Sequence, residues 1–155
     1  MLSTRKAPAA VRSGKLTIRT ECGLHFVDLT PEAHAFVRNS GLRQGLALIY
    51  SQHTTAAIVL APSDPRSLQD LVHFLNTTAP PDAEYRHNDF TVRTVNMTED
   101  ESPNGHSHCQ HLLLRTSETI PIVDGELLIA PGQGLYLIEL DHPRTRDVIF
   151  HLIGE

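Results

Sequence analysis

The residues best suited to do chemistry in this chain are its histidines, ten in 155 positions. Neutral imidazole binds transition metals and changes charge near neutral pH, so position decides what each ring can do. His53 stands in a polar insert, Ser51-Gln52-His53-Thr54-Thr55, between the apolar runs 46–50 and 56–60. Burying polar groups is costly unless they are paired. Two readings therefore stay open for His53: a hydrogen-bonded core residue, or part of a site.

His106, His108 and His111 form the pattern H-x-H-x-x-H. On a helix advancing about 100° per residue, Cys109, Leu112 and Leu113 would mark the buried side. His108 then lies on one flank of that side, His106 on the other at the helix start, and His111 points away. One helix therefore cannot aim all three rings at one ion. His108 is the inward candidate, His106 a cap or supporting group, and His111 a surface or subunit-contact residue. His87, following Tyr85-Arg86, reads by itself as an ordinary loop histidine. His25, His34, His73, His142 and His151 fall in element patterns or turns and are expected to be structural or exposed.

A second constellation runs Glu139-Leu140-Asp141-His142-Pro143-Arg144-Thr145-Arg146. Guanidinium forks suit phosphate and carboxylate oxygens, because their donors are planar and always charged. Arginines two apart share one face of an extended chain. The alternative is a solvated turn with surface ion pairs. Gly132-Gln133-Gly134 nearby allows close backbone approach, and no phosphate loop, dinucleotide fingerprint or serine nucleophile elbow is present.

These residues need elements to position them. Strand patterns cover 15–19 and 24–29. Thr30-Pro31-Glu32 predicts a helix start with a capping hydroxyl, running to about Asn39 and ended by Gly41. Strands are predicted at 46–50 and 56–60. Asp64-Pro65 opens a second helix, with Leu68, Leu71, Val72 and Leu75 at helical spacing, and 76–82 reads as a loop. Residues 90–95 look strand-like, 98–105 acidic and turn-rich, and 106–115 helical. Runs 120–123 and 126–130 flank Asp124-Gly125, the clearest hairpin signal in the chain. Strands at 134–140 and 147–153 complete an α+β fold, with mostly antiparallel sheet and about three helices.

The bulk numbers bound the function. The length favours one domain, read as 14–155 behind a flexible arm at 1–13. With 40% hydrophobic residues, 5% aromatics and no tryptophan, the core must be aliphatic. A net charge of −5 argues against nucleic acid, which needs clustered Lys and Arg. Neither a membrane span nor a secretion signal is seen, and the two cysteines share no CxxC spacing. A cytoplasmic protein with reduced thiols is expected.

Taken in order, His53-Thr54-Thr55-Ala56, Asp64-Pro65 with Asp70, Tyr85-Arg86-His87, Asn104-Gly105-His106-Ser107-His108 and Ser117-Glu118-Thr119-Ile120-Pro121-Ile122 carry a resemblance. Asp124-Gly125, Gln133, Glu139-Leu140-Asp141, Arg144-x-Arg146 and Gly154-Glu155 continue it. Together they resemble the YjbQ-like family, often labelled secondary thiamine-phosphate synthase. The resemblance implies a compact β-rich homotrimer with a histidine metal site near subunit boundaries, an anion nearby, and a weak ability to make thiamine phosphate. By matching motif it implies His53, His87 and His108 as ligands of a divalent transition metal, zinc being the expected one. Glu139 would be the catalytic acid, orienting a histidine or moving a proton. Gln133, Arg144 and Arg146 would bind a small phosphorylated molecule or inorganic anion. A non-catalytic trimeric protein binding metal or a small anion is the alternative. The family's Asn-Glu pair is replaced here by the stretch Leu60-Ala61-Pro62-Ser63. Its Leu-Gly-x-Trp-Gln becomes Ile129-Ala130-Pro131-Gly132-Gln133.

Overall fold

The computed structural model describes residues 9–155. Eight strands and three α-helices follow the order β1 (Ala10–Arg19), β2 (His25–Asp28), α1 (Thr30–Ser40), β3 (Gln44–Ser51), β4 (Ala56–Pro62), α2 (Pro65–Thr78), α3 (Gly105–Leu113), β5 (Ser117–Val123), β6 (Glu126–Leu127), β7 (Gln133–Glu139) and β8 (Thr145–Gly154). One 3-10 turn, Arg86–Asn88, sits between α2 and α3. The strands form a five-stranded sheet, β1-β8-β3-β5-β6, and a three-stranded sheet, β2-β7-β4, with every pairing antiparallel. This is the expected α+β fold. The first strand starts earlier than expected: Ala10–Ser13, assigned to the arm, pair with His151–Gly154 of β8. Residues 1–8 of that arm lie outside the described residues.

The two sheets pack face to face. Ala47 and Ile49 of β3, Ile120 and Ile122 of β5, and Val148, Phe150 and Leu152 of β8 meet Ala56 and Ile58 of β4 and Leu135 and Leu137 of β7, with Val37 of α1 in the same cluster. A second cluster on the far face of the small sheet joins Ala57, Ile138 and Leu140 to Leu75 of α2. Strand β7 is therefore buried on both faces, as its near-continuous apolar run requires.

Local chemistry explains most boundaries. Gly41 ends α1 at φ 75°, the left-handed conformation glycine favours. Asp64 caps α2 by accepting from Ser67 N at 3.1 Å. Asp124 and Gly125 both take positive φ, 53° and 86°, and turn β5 into β6. Other local expectations fail. Thr30 is not a cap: its hydroxyl accepts from Leu135 N across the sheet, at 2.9 Å. Helix α2 runs through Asn76–Thr78, read as loop from the prolines that follow. Residues 90–95 are not a strand. Asp89 Oδ1 accepts from the amide and hydroxyl of Thr91, and Arg93 N donates to Asp89 O, so turns hold the segment. No helix among the described residues is long and apolar enough to cross a membrane.

Helix α3 corrects the sequence reading most directly. Its buried residues are Gly105, Ser107 and Gln110. Leu112 and Leu113, expected to face inward, are 83% and 52% exposed, and Cys109 is exposed as well. The helix packs its small and polar side against backbone carbonyls, which apolar periodicity cannot show: Ser107 Oγ donates to Leu140 O, and Gln110 Nε2 donates to Ala79 O.

Candidate functional site

Antiparallel pairing brings the ends of β3, β4, β7 and β8 to one end of the molecule, and the site is built there. His53 sits in the short β3–β4 connection, His87 on the 3-10 turn and His108 on α3. Arg144 precedes β8, and Arg146 lies within it. All five line one cleft of about 450 Å³, with Thr55, Arg93, Asn104, Glu101 and Asp141 among the other walls. The rings of His87 and His108 stand edge to face, with centroids 4.5 Å apart. His87 Nε2 is buried and finds no hydrogen-bond partner among the described residues.

Burial pushes His108 below its usual value, and the neighbouring His87 adds to that effect, against a hydrogen bond with the Thr54 backbone. Burial also lowers His53, with Arg146 acting in the same direction. Both rings are therefore neutral at pH 7, the form that accepts a metal or a hydrogen bond. The state of His53 is defined further. Asp147 N donates to its Nε2 at 3.0 Å, so the ring proton resides on Nδ1.

Arg146 and Glu139 form the buried base of the site. Arg146 is 3% exposed and Glu139 0%. Arg146 donates through Nε to Glu139 Oε2 at 2.7 Å, and through Nη2 to Glu139 Oε1 and to Thr55 Oγ1. Glu139 also accepts from Thr20 Oγ1 at 2.8 Å and Asp141 N at 3.0 Å. Its oxygens are thus occupied by donors from the protein, and it acts on the cleft through Arg146. Asp141 links further groups: Arg144 Nε and Asn104 Nδ2 donate to its Oδ2 at 3.1 and 3.0 Å. Burial would raise its carboxyl, but bonds from Asn104 and His142 and the charge of Arg144 hold it below the usual range. Arg144 Nη1 reaches Asp100 at 2.8 Å.

Gln133 lies elsewhere. It begins β7, six residues before Glu139, about 20 Å along an extended strand. Its Oε1 accepts from Ala130 N, which fixes a turn. Sequence reasoning missed Arg93 and Glu101, which pair at 2.7 Å inside the cleft. Reading 90–95 as a strand hid Arg93, whereas the acidic run 98–105 already contained Glu101. Asp141 stood within the quoted motif and was passed over for Glu139. The histidines of α3 separate as the helix turns. His108 lines this cleft, His106 a smaller cavity beside it, and His111 a surface hollow with Leu112 and Arg115.

Two of the three expected ligands suit a metal as they stand, His87 and His108. The third does not, because Nε2 of His53 already accepts a backbone N–H, and binding a metal through Nδ1 would move the ring proton onto that nitrogen. Among the described residues, no group of three or more His, Cys, Asp or Glu side chains is arranged to hold a metal ion.

Two antiparallel sheets, covered by helices and carrying a histidine–arginine cleft at their shared end, define a small α+β protein. Residues 14–155 match the family described as UPF0047 protein YjbQ-like, and the chain belongs to that family. A UPF0047 protein of Methanothermobacter thermautotrophicus is 30% identical over 145 residues, covering 94% of each chain. One from Synechocystis is 34% identical, covering 90% of each. The solved structure of a YbjQ-like protein from Sulfolobus solfataricus is similar at a TM-score of 0.85 and 26% identity, covering 96% of this chain and 100% of that one.

Proposed function

We propose that this protein binds a small phosphorylated molecule in the His53–His87–His108 cleft, together with a divalent transition metal held by His87 and His108. The observation that carries this reading is the convergence of three histidines and two arginines from distant segments on one cleft. Zinc or a similar ion suits two imidazoles better than magnesium, which prefers oxygen ligands. Such an ion would supply Lewis acidity toward a phosphate oxygen. The chain's own residues do the rest. The bonds of Arg146 run through Nε and Nη2, leaving Nη1 for an anion. Those of Arg144 run through Nε and Nη1, leaving Nη2. The Nδ1–H of His53 is a donor suited to an oxyanion, with its tautomer set by Asp147 N. Weak thiamine-phosphate synthase activity is the enzymatic form of this reading, and it rests on the family resemblance.

One observation favours a binding protein instead. The carboxylates lining the cleft are both engaged, Glu101 by Arg93 and Asp141 by Arg144, and Glu139 beneath it is engaged by Arg146. No free carboxylate is therefore left as a base. Metal analysis of purified protein, followed by phosphate-release assays over a panel of pyrophosphates, separates the two. Enzyme action requires turnover that His53→Ala abolishes while metal remains bound. Bound metal without turnover on any member supports the binding protein. If His87→Ala and His108→Ala retain metal as the wild type does, the proposed ligands are wrong.

Assembly as a homotrimer is part of the same proposal, as is a cytoplasmic location. Val11, Ile153 and Leu46 lie side by side across β1, β8 and β3. They are 53%, 47% and 51% exposed, forming an apolar row that supports self-association.

A further inference from the structure

Every described residue that lines the histidine–arginine cleft carries a polar side chain. Sites for small organic ligands are ordinarily walled by apolar and aromatic groups, with a few polar ones to fix orientation. The chain builds a hollow of that ordinary kind elsewhere. It measures about 410 Å³, lies between Val59 and Leu60 of β4, Leu71 of α2 and Leu113 of α3, and shares no lining residue with the cleft. A flat heterocycle in the cleft would meet no ring but imidazole, and the rings of His87 and His108 are turned edge to face against each other.

The charges of the cleft are also matched. Arg93 pairs with Glu101, Arg144 with Asp141, and Arg146 with Glu139 beneath the floor. A site for a bare polyanion gains from guanidiniums without carboxylates beside them, because the carboxylates repel it. Neutral groups complete the wall. The side chains of Gln52, Thr54 and Asn96 are exposed and make no hydrogen bond to the protein among the described residues. Amides and hydroxyls both donate and accept, as an alcohol does, so they suit a ligand that carries hydroxyls. Asn96 is held for this place. It takes φ 53°, a conformation Asn tolerates better than most residues. Arg93 Nη2 donates to its carbonyl at 3.2 Å, and Glu101, the partner of Arg93, accepts from Thr98 N at 3.2 Å. The ion pair thus clamps the turn on both sides of Asn96. Burial does not fix it, since the flanking Val95 and Met97 are 69% and 40% exposed.

We infer that the cleft takes a phosphorylated polyol of the sugar-phosphate class, with its phosphate on Arg144 and Arg146 and its hydroxyls on Gln52, Thr54 and Asn96. This rests on the phosphate-binding reading of the cleft and adds what the rest of the ligand is. A wall polar throughout stabilises a ligand that is polar along its whole length. A ligand with an aromatic or aliphatic stem would strip water from these groups without replacing their hydrogen bonds.

The test is calorimetric titration of the full-length protein with ribose 5-phosphate, ethyl phosphate and thiamine phosphate. All three are phosphate monoesters, and only the first carries free hydroxyls. Ribose 5-phosphate is expected to bind about tenfold tighter than ethyl phosphate, the effect of one or two added hydrogen bonds. Thiamine phosphate is expected to bind no tighter than ethyl phosphate. Asn96→Gly keeps the left-handed backbone and removes the amide, and Gln52→Ala trims an exposed side chain. Each should weaken ribose 5-phosphate about threefold or more while leaving ethyl phosphate as it was. Equal affinity for ribose 5-phosphate and ethyl phosphate would overturn the inference and leave the phosphate reading standing, as would tighter binding of thiamine phosphate. Unchanged binding of ribose 5-phosphate in both variants would overturn it too. If no monoester binds, the phosphate reading falls and this inference with it.

Discussion

At the scale of single residues, Glu139 shows how a site acid can work at one remove. It accepts from Arg146, Thr20 and the Asp141 amide, and it does not line the cleft. Its role is to fix a guanidinium at the cleft floor. Glu139→Gln keeps the shape but turns one acceptor into a donor facing donors, and leaves Arg146 charged and buried. Breaking a buried pair from one side costs about 3–5 kcal/mol. Urea denaturation should show a loss of that order, with phosphate affinity falling in the same variant. Full stability would mean that Arg146 finds another partner. The histidines make a separate prediction. Burial lowers His53, His106, His108 and His111 from the ordinary value of 6.5. Below pH 6.5 the unfolded chain therefore binds more protons than the folded one, and stability falls as pH falls. Chelator-treated protein should lose melting temperature steadily from pH 7 to pH 5, above the range where carboxylates titrate. A flat profile would contradict the burial of these rings.

At the scale of elements, the chain was most legible where a local rule has no competitor. Asp124-Gly125 announced its hairpin, Gly41 its helix stop and Asp64-Pro65 its helix start. It was least legible where tertiary contacts override periodicity. Phe90, Val92 and Val95 mimic a strand yet stay exposed, because the Asp89 side chain organises turns instead. In α3 the apolar residues face out and the polar ones in. The sequence placed His53, His87 and His108 together only through family resemblance, since spacing alone cannot join a strand connection, a 3-10 turn and a helix. The joint between the last two is Gly105. A Cβ there would run into the Tyr85 side chain and approach Asn88 Oδ1, on the turn that carries His87. Gly105→Ala should destabilise the protein by about 1–3 kcal/mol and weaken metal binding by displacing His87. Unchanged metal affinity would show that the two histidines do not act together.

At the scale of the molecule, the two sheets differ in what they expose. The small sheet is enclosed, whereas the large one presents the Val11–Ile153–Leu46 row. Leu46→Lys places a charge at the centre of that row. Light scattering should report a smaller assembly for this variant, with the fold retained by circular dichroism. An unchanged mass would move the proposed contact to another face. Strand β7 has a different consequence. With β4 it forms the wall that both hydrophobic clusters lean on, and its last residue, Glu139, anchors the cleft arginine. A molecule divided by such a wall has no half that can loosen by itself. Amide exchange in β4, β7 and the base of the cleft should therefore proceed at the rate of global opening, so whatever occupies the cleft is held by the stability of the whole chain.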